Sequence, residues 1–263
     1  MPLPDRGLEF GDGLFETLLV ADGRALYPDL HLQRLERGLR ALGFPPCLGE
    51  VESRLDIATS GIAQQHWSWA SLRLTVTRGE GPRGYAPPAS PRPRVLAQAS
   101  PLHRECRTLL APARLVQAAI RLPWQPALAG IKHLNRLEQV LAAQEGRRRG
   151  ADEVLLLDSF EALAGVAAGS LFLRRGNTLS TPKLAGCGVA GTRRALVMQR
   201  WASAVGLKVA EARLTIDDLA GADEVFYSNA LCGLRPVAAV DTLLWSEHSA
   251  CEALFQQFVG ELP

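Results

Sequence analysis

Lysine is scarce in this chain. Of its 29 basic residues only Lys132, Lys183 and Lys208 are lysine. Arginine stays protonated in proteins, whereas a desolvated lysine can lose its proton and serve as a base or attack a carbonyl carbon. Lys132 lies in Gly130-Ile-Lys-His-Leu-Asn-Arg-Leu-Glu-Gln-Val140, behind an apolar Ala-Gly-Ile approach. The periodicity predicts that it opens a helix running to about Arg149. Lys183 follows a proline in a predicted loop, and Lys208 falls on an alternating strand where it faces solvent. Lys132 is therefore the candidate for amine chemistry.

Several segments could hold an anion. Gly186-Cys-Gly-Val-Ala-Gly-Thr192 precedes a predicted helix, with Thr192 placed to cap it and Arg193 and Arg194 beside it. The free N–H groups of such a first turn attract anions, although an ordinary strand-to-helix loop looks the same in sequence. Arg34 falls beside the leucine stripe of a predicted helix, either as a surface arginine or as an arginine aimed at a phosphate. Gly79-Glu-Gly-Pro-Arg-Gly84 matches G-x-G-x-x-G, but Pro87 and Pro88 bar the helix that a dinucleotide site requires. A glycine-rich loop is expected there, with Arg83 able to reach a substrate anion.

The bulk numbers exclude other classes. A net charge of +2 over 263 residues with 6% aromatics does not suit a nucleic-acid partner. Arg147, Arg148 and Arg149 precede Gly150 at a predicted helix end, where cations complement the dipole. Cys47, Cys106, Cys187, Cys232 and Cys251 are odd in number and show no C-x-x-C, so reduced thiols and a cytoplasmic location are expected. No leader or long apolar span is read in the sequence, which predicts no membrane partner, and the histidine spacing predicts no metal site.

The elements that must position these residues read as a mixed chain. A strand is predicted at Leu14–Val20, a turn at Asp22-Gly23 and a return strand at Arg24–Tyr27. Asp29 is a candidate N-cap for a helix carrying Leu32, Leu35, Leu39 and Leu42, ended by Gly43. A helix at about 50–65 and strands at 72–77 and 94–99 complete a smaller N-terminal α/β domain over 1–101. A linker over 102–107 leads to a larger domain over 108–263. There, strands are predicted at 108–113, 114–120, 153–157, 171–173, 207–213, 224–228 and 237–240. Helices are predicted at about 192–205 and 246–258. The class is α/β (α+β), without regular βαβ alternation.

Four motifs occur in an order that resembles the class IV, or fold-type IV, pyridoxal-phosphate enzymes. They are Phe10-Gly-Asp-Gly-Leu-Phe-Glu-Thr17, His31-Leu-Gln-Arg-Leu35, Gly130-Ile-Lys-His-Leu-Asn-Arg136 and Val189-Ala-Gly-Thr-Arg193. The resemblance spans about residues 5 to 240 and includes branched-chain and D-amino-acid aminotransferases. It implies two domains, the larger with a β-barrel-like core, pyridoxal 5′-phosphate as cofactor and a homodimer. It implies that Lys132 bonds the cofactor covalently and that Arg34, Gly191 and Thr192 hold its phosphate. Asn229 and Ala230 would form the turn near the phosphate and the substrate carboxylate. Within the family, the Lys132–Gln139 run and Ser228-Asn-Ala-Leu231 resemble the aminodeoxychorismate lyases. That implies cleavage of 4-amino-4-deoxychorismate to 4-aminobenzoate and pyruvate in folate synthesis, with Arg83 and Arg136 as candidates for the substrate carboxylates. The alternatives are a class IV aminotransferase and a weakly active or non-catalytic relative.

The sequence departs from the family pattern twice. A glutamate that pairs with the pyridine nitrogen falls here on Gly165, and Glu161, four residues earlier, is in no register that replaces it. A weaker electron sink is expected to harm a transaminase more than a lyase whose product becomes aromatic. Family members also usually carry a strand before the segment matching Asp5-Arg-Gly7.

Overall fold

The computed structural model describes residues 4–263, so the first three residues of the expected 1–101 domain lie outside the described residues. The chain divides into two compact units. One comprises residues up to Glu105 together with Ile131–Asn135 and Pro263, and the other comprises Cys106–Gly130 and Arg136–Leu262.

The first unit is built on a four-stranded antiparallel sheet. Its strands are β1 (Gly13–Ala21), β2 (Arg24–Ala25), β3 (Trp69–Thr77) and β4 (Arg94–Pro101), in the order β2-β1-β3-β4. A short helix, α1 (Arg6–Phe10), precedes β1, started by the Asp5 side chain, which accepts from the Gly7 N–H. Helix α2 (Pro28–Ala41) packs on β1, and α3 (Leu48–Gln64) packs on β3 and β4. Asp29 is not the cap of α2. Tyr27 precedes the helix with φ 52°, Pro28 supplies the preset first turn, and Asp29 lies inside that turn. The buried face of α2 consists of His31, Arg34, Leu35, Gly38 and Leu39, and it brings Arg34 inward.

The motif Phe10-Gly-Asp-Gly13 is explained by Asp12. Its Oδ2 accepts from Arg6 Nε at 2.9 Å and from Arg78 Nε at 2.7 Å. Burial pushes Asp12 up, but bonds and charge from Arg78 and Arg6 outweigh it and hold the carboxyl below its ordinary range. Arg6 in turn donates to the Gly84, Tyr85 and Ala86 carbonyls, and Arg78 to those of Leu42 and Gly43 beyond α2. The segment with the three spaced glycines, 79–84, is a loop, as its prolines require.

The second unit contains a nine-stranded mixed sheet. Its strands are β5 (Ala113–Leu122), β6 (Glu153–Asp158), β7 (Leu163–Val166), β8 (Ser170–Arg175), β9 (Thr178–Pro182), β10 (Lys208–Ala212), β11 (Glu224–Asn229), β12 (Gly233–Val240) and β13 (Leu243–Leu244). The order is β10-β9-β8-β11-β12-β5-β6-β7, with β13 on β12. The sheet curls into a half-barrel: Val166 of β7 bridges to Gly169 beside β8, and Leu163 N–H donates to Leu214 O at 2.8 Å. Leu155, Leu157, Leu163, Leu171, Val225 and Tyr227 fill the curl. Helix α4 (Leu137–Arg148) covers β5 and β6 on the other side, with Ala142 packed among Ala118, Leu122, Val154 and Leu156.

Residues 192–204 form one helical run: α5 (Thr192–Leu196), a π-helical turn at Val197–Trp201, and α6 (Ala202–Ala204). Helix α7 (Ile216–Ala220) opens on a Thr215–Asp218 capping box, and α8 (Ser249–Gly260) ends the fold. Two strands expected over 108–120 prove to be β5 alone. Residues 109–112 are non-strand, and Pro112, which has no N–H to give a ladder, immediately precedes β5. The predicted helix at Lys132 begins only at Leu137. Residues 131–135, within the segment expected to form the second domain, belong to the first unit.

Glu224 ties α8 to the sheet. It is fully buried, accepts from the Ala250 and Cys251 N–H groups at 3.0 and 2.7 Å, and takes Arg174 Nε at 3.0 Å. Glu224→Ala would strand a guanidinium and two helix-start donors, so urea denaturation is expected to show a loss of about 2–4 kcal/mol. A loss below about 0.5 kcal/mol, the range of an ordinary surface substitution, would contradict this role.

Candidate active site

Lys132 is positioned by backbone pairing. Lys132 O accepts from Phe15 N–H at 2.9 Å, Leu134 N–H donates to Gly13 O at 3.0 Å, and His133 bridges to Leu14. These bonds use groups that a helix would have turned inward, so the segment runs extended along β1. Asn135 Nδ2 extends the contact by donating to Gly11 O at 3.1 Å. Lys132 Nζ lies 4.2 Å from the centroid of the Phe15 ring, and Arg73 Cζ lies 3.8 Å from the same centroid. Cations are attracted to the ring face.

The next residue of β1 points the other way, as strand geometry demands. Glu16, on the same face as Leu14 and Leu18, meets α2. Its Oε1 accepts from Arg34 Nε at 2.8 Å, its Oε2 accepts from Arg34 Nη2, and Oε2 also lies 2.6 Å from His31 Nδ1. Relative exposures of 1% for Glu16, 1% for His31 and 5% for Arg34 put the triad inside the unit. Burial alone would push Glu16 up. The charge and bonds of Arg34, followed by those of His31, outweigh it and hold the carboxyl at about 2. Being ionised, Glu16 is an acceptor only, so His31 Nδ1 carries the hydrogen. Glu16 and His31 were missed in the sequence as site residues, although a lone acid in the apolar run Leu14–Val20 was the available signal.

In the second unit, Gly191 precedes the helical run 192–204 with φ −62° and ψ 136°. Thr192 is the first helical residue, 4% exposed, and does not cap through its side chain. Gly191 itself occupies the cap position. A Cβ on it would lie 2.5 Å from Ser170 Oγ, so glycine is what lets Ser170 pack against the helix start. Asn229 ends β11, and its Oδ1 accepts from the Leu231 and Cys232 N–H groups, both at 2.9 Å. Arg193, fully buried, joins the two segments by donating to Ala230 O at 3.0 Å. Nearby on β11, Ser228 Oγ is buried without a hydrogen-bond partner.

Gly165 is built into its backbone. Its φ is 141°, and a Cβ would lie 2.9 Å from Gly169 O. Glu161 does not stand in for a missing acid. It is exposed and bound by Arg121 through Nε at 2.8 Å and Nη2 at 2.9 Å. Burial, reinforced by Asp158, pushes the Cys187 thiol up to about 11, so it stays protonated at neutral pH. Arg83 lies exposed on the loop after β3, and Arg136, half-buried, precedes α4. Among the described residues no His, Cys, Asp or Glu group is arranged to hold a metal ion, and no helix is long and apolar enough to cross a membrane.

A helix that starts at a glycine, an Asn turn on a curled sheet and a lysine held extended along β1 accord with the family whose motifs the sequence resembles. The chain belongs to the amino-transferase class IV family, whose model matches residues 13–240. It is 33% identical over 91% of its length to the aminodeoxychorismate lyase of Vibrio harveyi, covering 87% of that protein. It is 30% identical over 90% of its length to a putative branched-chain-amino-acid aminotransferase of Methanocaldococcus jannaschii, covering 81% of it. Among solved structures, the 4-amino-4-deoxychorismate lyase of Pseudomonas aeruginosa superposes with a TM-score of 0.91 at 39% identity, covering all of this chain and 95% of that one.

Because the Glu16 carboxyl is held at about 2 against an ordinary 4.5, it stabilises the folded state fully above about pH 4.5. That stabilisation fades as the pH falls through 2. The gap is worth about 3 kcal/mol. Urea unfolding between pH 6 and 3 is expected to show this acid-side slope, reduced in Glu16→Gln. Parallel curves for the two proteins would refute the assignment.

Proposed function

We propose that the chain is an aminodeoxychorismate lyase that uses pyridoxal 5′-phosphate to convert 4-amino-4-deoxychorismate to 4-aminobenzoate and pyruvate. The observation that carries the reading is Lys132, held extended against Phe15 by β1, in a chain of this family with lyases among its relatives.

The residues present fit the cofactor at its aldehyde and phosphate ends. Lys132 supplies the amine that bonds it. Arg34 and the first-turn N–H groups at Gly191 and Thr192 would hold the phosphate, and the unpartnered Ser228 hydroxyl beside Asn229 and Ala230 supports a polar ligand there. At the ring-nitrogen position Gly165 offers no acid. When bound, the cofactor supplies an electron sink conjugated to the substrate's amino group.

Lys132 Nζ, once freed, takes the proton from ring C4. The bond from the ring to the enolpyruvyl oxygen breaks, the ring becomes aromatic, and the departing enolpyruvate gains a proton to become pyruvate. Arg83 and Arg136 are assigned to the substrate's two carboxylates. Aromatisation supplies driving force that a transaminase lacks, which is why Gly165 favours the lyase over the aminotransferase reading. The five free cysteines suit a reducing compartment, so the cytoplasm is proposed.

Lys132→Ala is expected to abolish both 4-aminobenzoate formation and the visible absorbance acquired on adding pyridoxal 5′-phosphate. An unchanged spectrum would sink the assignment, and glutamate formation from 2-oxoglutarate without 4-aminobenzoate would favour the aminotransferase. Gly165→Glu is expected to lower stability by about 1–3 kcal/mol and not to raise the rate, because the backbone at φ 141° excludes a side chain.

A homodimer is also proposed. Leu137, Val140 and Leu141 form a stripe on α4 that is 74%, 48% and 51% exposed, at the i, i+3, i+4 spacing of one helix face. Val140→Arg with Leu141→Arg is expected to convert a dimer to a monomer in size-exclusion chromatography with light scattering. A doubly substituted protein that remains dimeric would remove this face from the interface.

A further inference from the structure

The mechanism uses Arg34 but leaves two buried titratable groups beside it without a task. Glu16 is the one acidic residue of β1, a strand otherwise built of apolar residues, one threonine and one glycine. Both of its oxygens are engaged from α2: Oε1 by Arg34 Nε, and Oε2 by Arg34 Nη2 and His31 Nδ1. His31 and Arg34 are three residues apart on α2, so the helix presents both to the same carboxylate. Burying an acid in such a strand is costly, and hydrophobic residues of similar volume would give the unit at least equal stability.

We infer that Glu16 and His31 are positioning residues for Arg34, fixing the plane of its guanidinium so that it receives a phosphate monoester in a single orientation. This inference rests on the reading that Arg34 takes the cofactor phosphate. A guanidinium has five donors in a rigid fork. A carboxylate that grips the Nε–Nη2 edge fixes the plane in which the guanidinium meets a second anion. His31 Nδ1 donates to Oε2 and stops the carboxylate from rotating about its own axis. The same carboxylate also repels an approaching dianion, so two effects of opposite sign compete. With Glu16 paired to three N–H donors from two residues its charge is largely compensated, and orientation wins.

The test compares pyridoxal 5′-phosphate with pyridoxal, which lacks the phosphate. Each is titrated onto the full-length protein, with binding read from tryptophan fluorescence and visible absorbance. Glu16→Gln keeps the shape of the side chain and removes its charge. It is expected to weaken pyridoxal 5′-phosphate about tenfold or more while pyridoxal changes by less than about twofold. His31→Leu is expected to shift the same preference by a smaller factor. His31→Asn, whose amide nitrogen can replace Nδ1, is expected to restore most of it. Simple damage to the unit would weaken both ligands alike, and that result overturns the proposal. So does a phosphate preference that stays the same or rises in Glu16→Gln, or in His31→Leu if Glu16→Gln does not fold. Arg34→Gln separates this inference from the reading beneath it. If Arg34→Gln retains the full phosphate preference, the assignment of Arg34 itself fails. If Arg34→Gln loses the preference while the Glu16 and His31 variants keep it, only the positioning role fails.

Discussion

The first unit depends on how β1 is shared between its two faces and its free edge. The strand hydrogen-bonds to β3 along its whole length and to β2 only at its far end. The edge at Gly13–Phe15 is therefore open, and the segment 132–134 closes it. An open edge leaves backbone groups unsatisfied, and pairing them is worth more than the few helical bonds that 131–136 would otherwise gain. That pairing fixes Lys132 O, and with it the side chain over Phe15. Because side chains alternate, the adjacent residue Glu16 faces α2. One strand thus positions the candidate nucleophile on one face and the candidate phosphate arginine on the other.

The second unit meets a different constraint, the close approach of Ser170 to a helix start. Gly191 supplies no side chain, and Ser170 Oγ occupies the space its Cβ would need. Asn229 folds its own turn with its side-chain oxygen, and Arg193 fastens that turn to the helix through Ala230 O. The motif arginine therefore acts on the protein backbone.

Much of this was legible in the sequence, and what was not has identifiable causes. The apolar run Leu14–Val20 and the turn Asp22-Gly23 gave β1 and its return directly. The helical pattern from Leu137 onward is real, but carrying it back to Lys132 placed the lysine on a helix it does not join, because pairing with a strand more than a hundred residues earlier leaves no local signature. Leu163-Ala-Gly-Val166 lacks β-branched alternation and becomes β7 only through its partner β6, a case of tertiary context overriding propensity. The missing acid at Gly165 was visible once the family pattern was set against the spacing of this chain. The conformation that makes glycine necessary there was not, since φ at a glycine is not written in its neighbours.

At several buried positions the arginines do what a lysine could not. Arg6 spans three consecutive loop carbonyls, Arg78 joins Asp12 to the end of α2, Arg193 holds the Ala230 turn, and Arg194 reaches Thr181, Pro182 O and Glu211. Each is largely buried. Such a task requires a charge that burial cannot neutralise and several donors in fixed directions. A lysine there would offer a single charged tip and could shed its proton under desolvation. The same property that disqualifies lysine from these staples is the one that amine chemistry at position 132 would use. The buried arginine staples and the lysine against Phe15 thus draw on the two sides of one physical distinction.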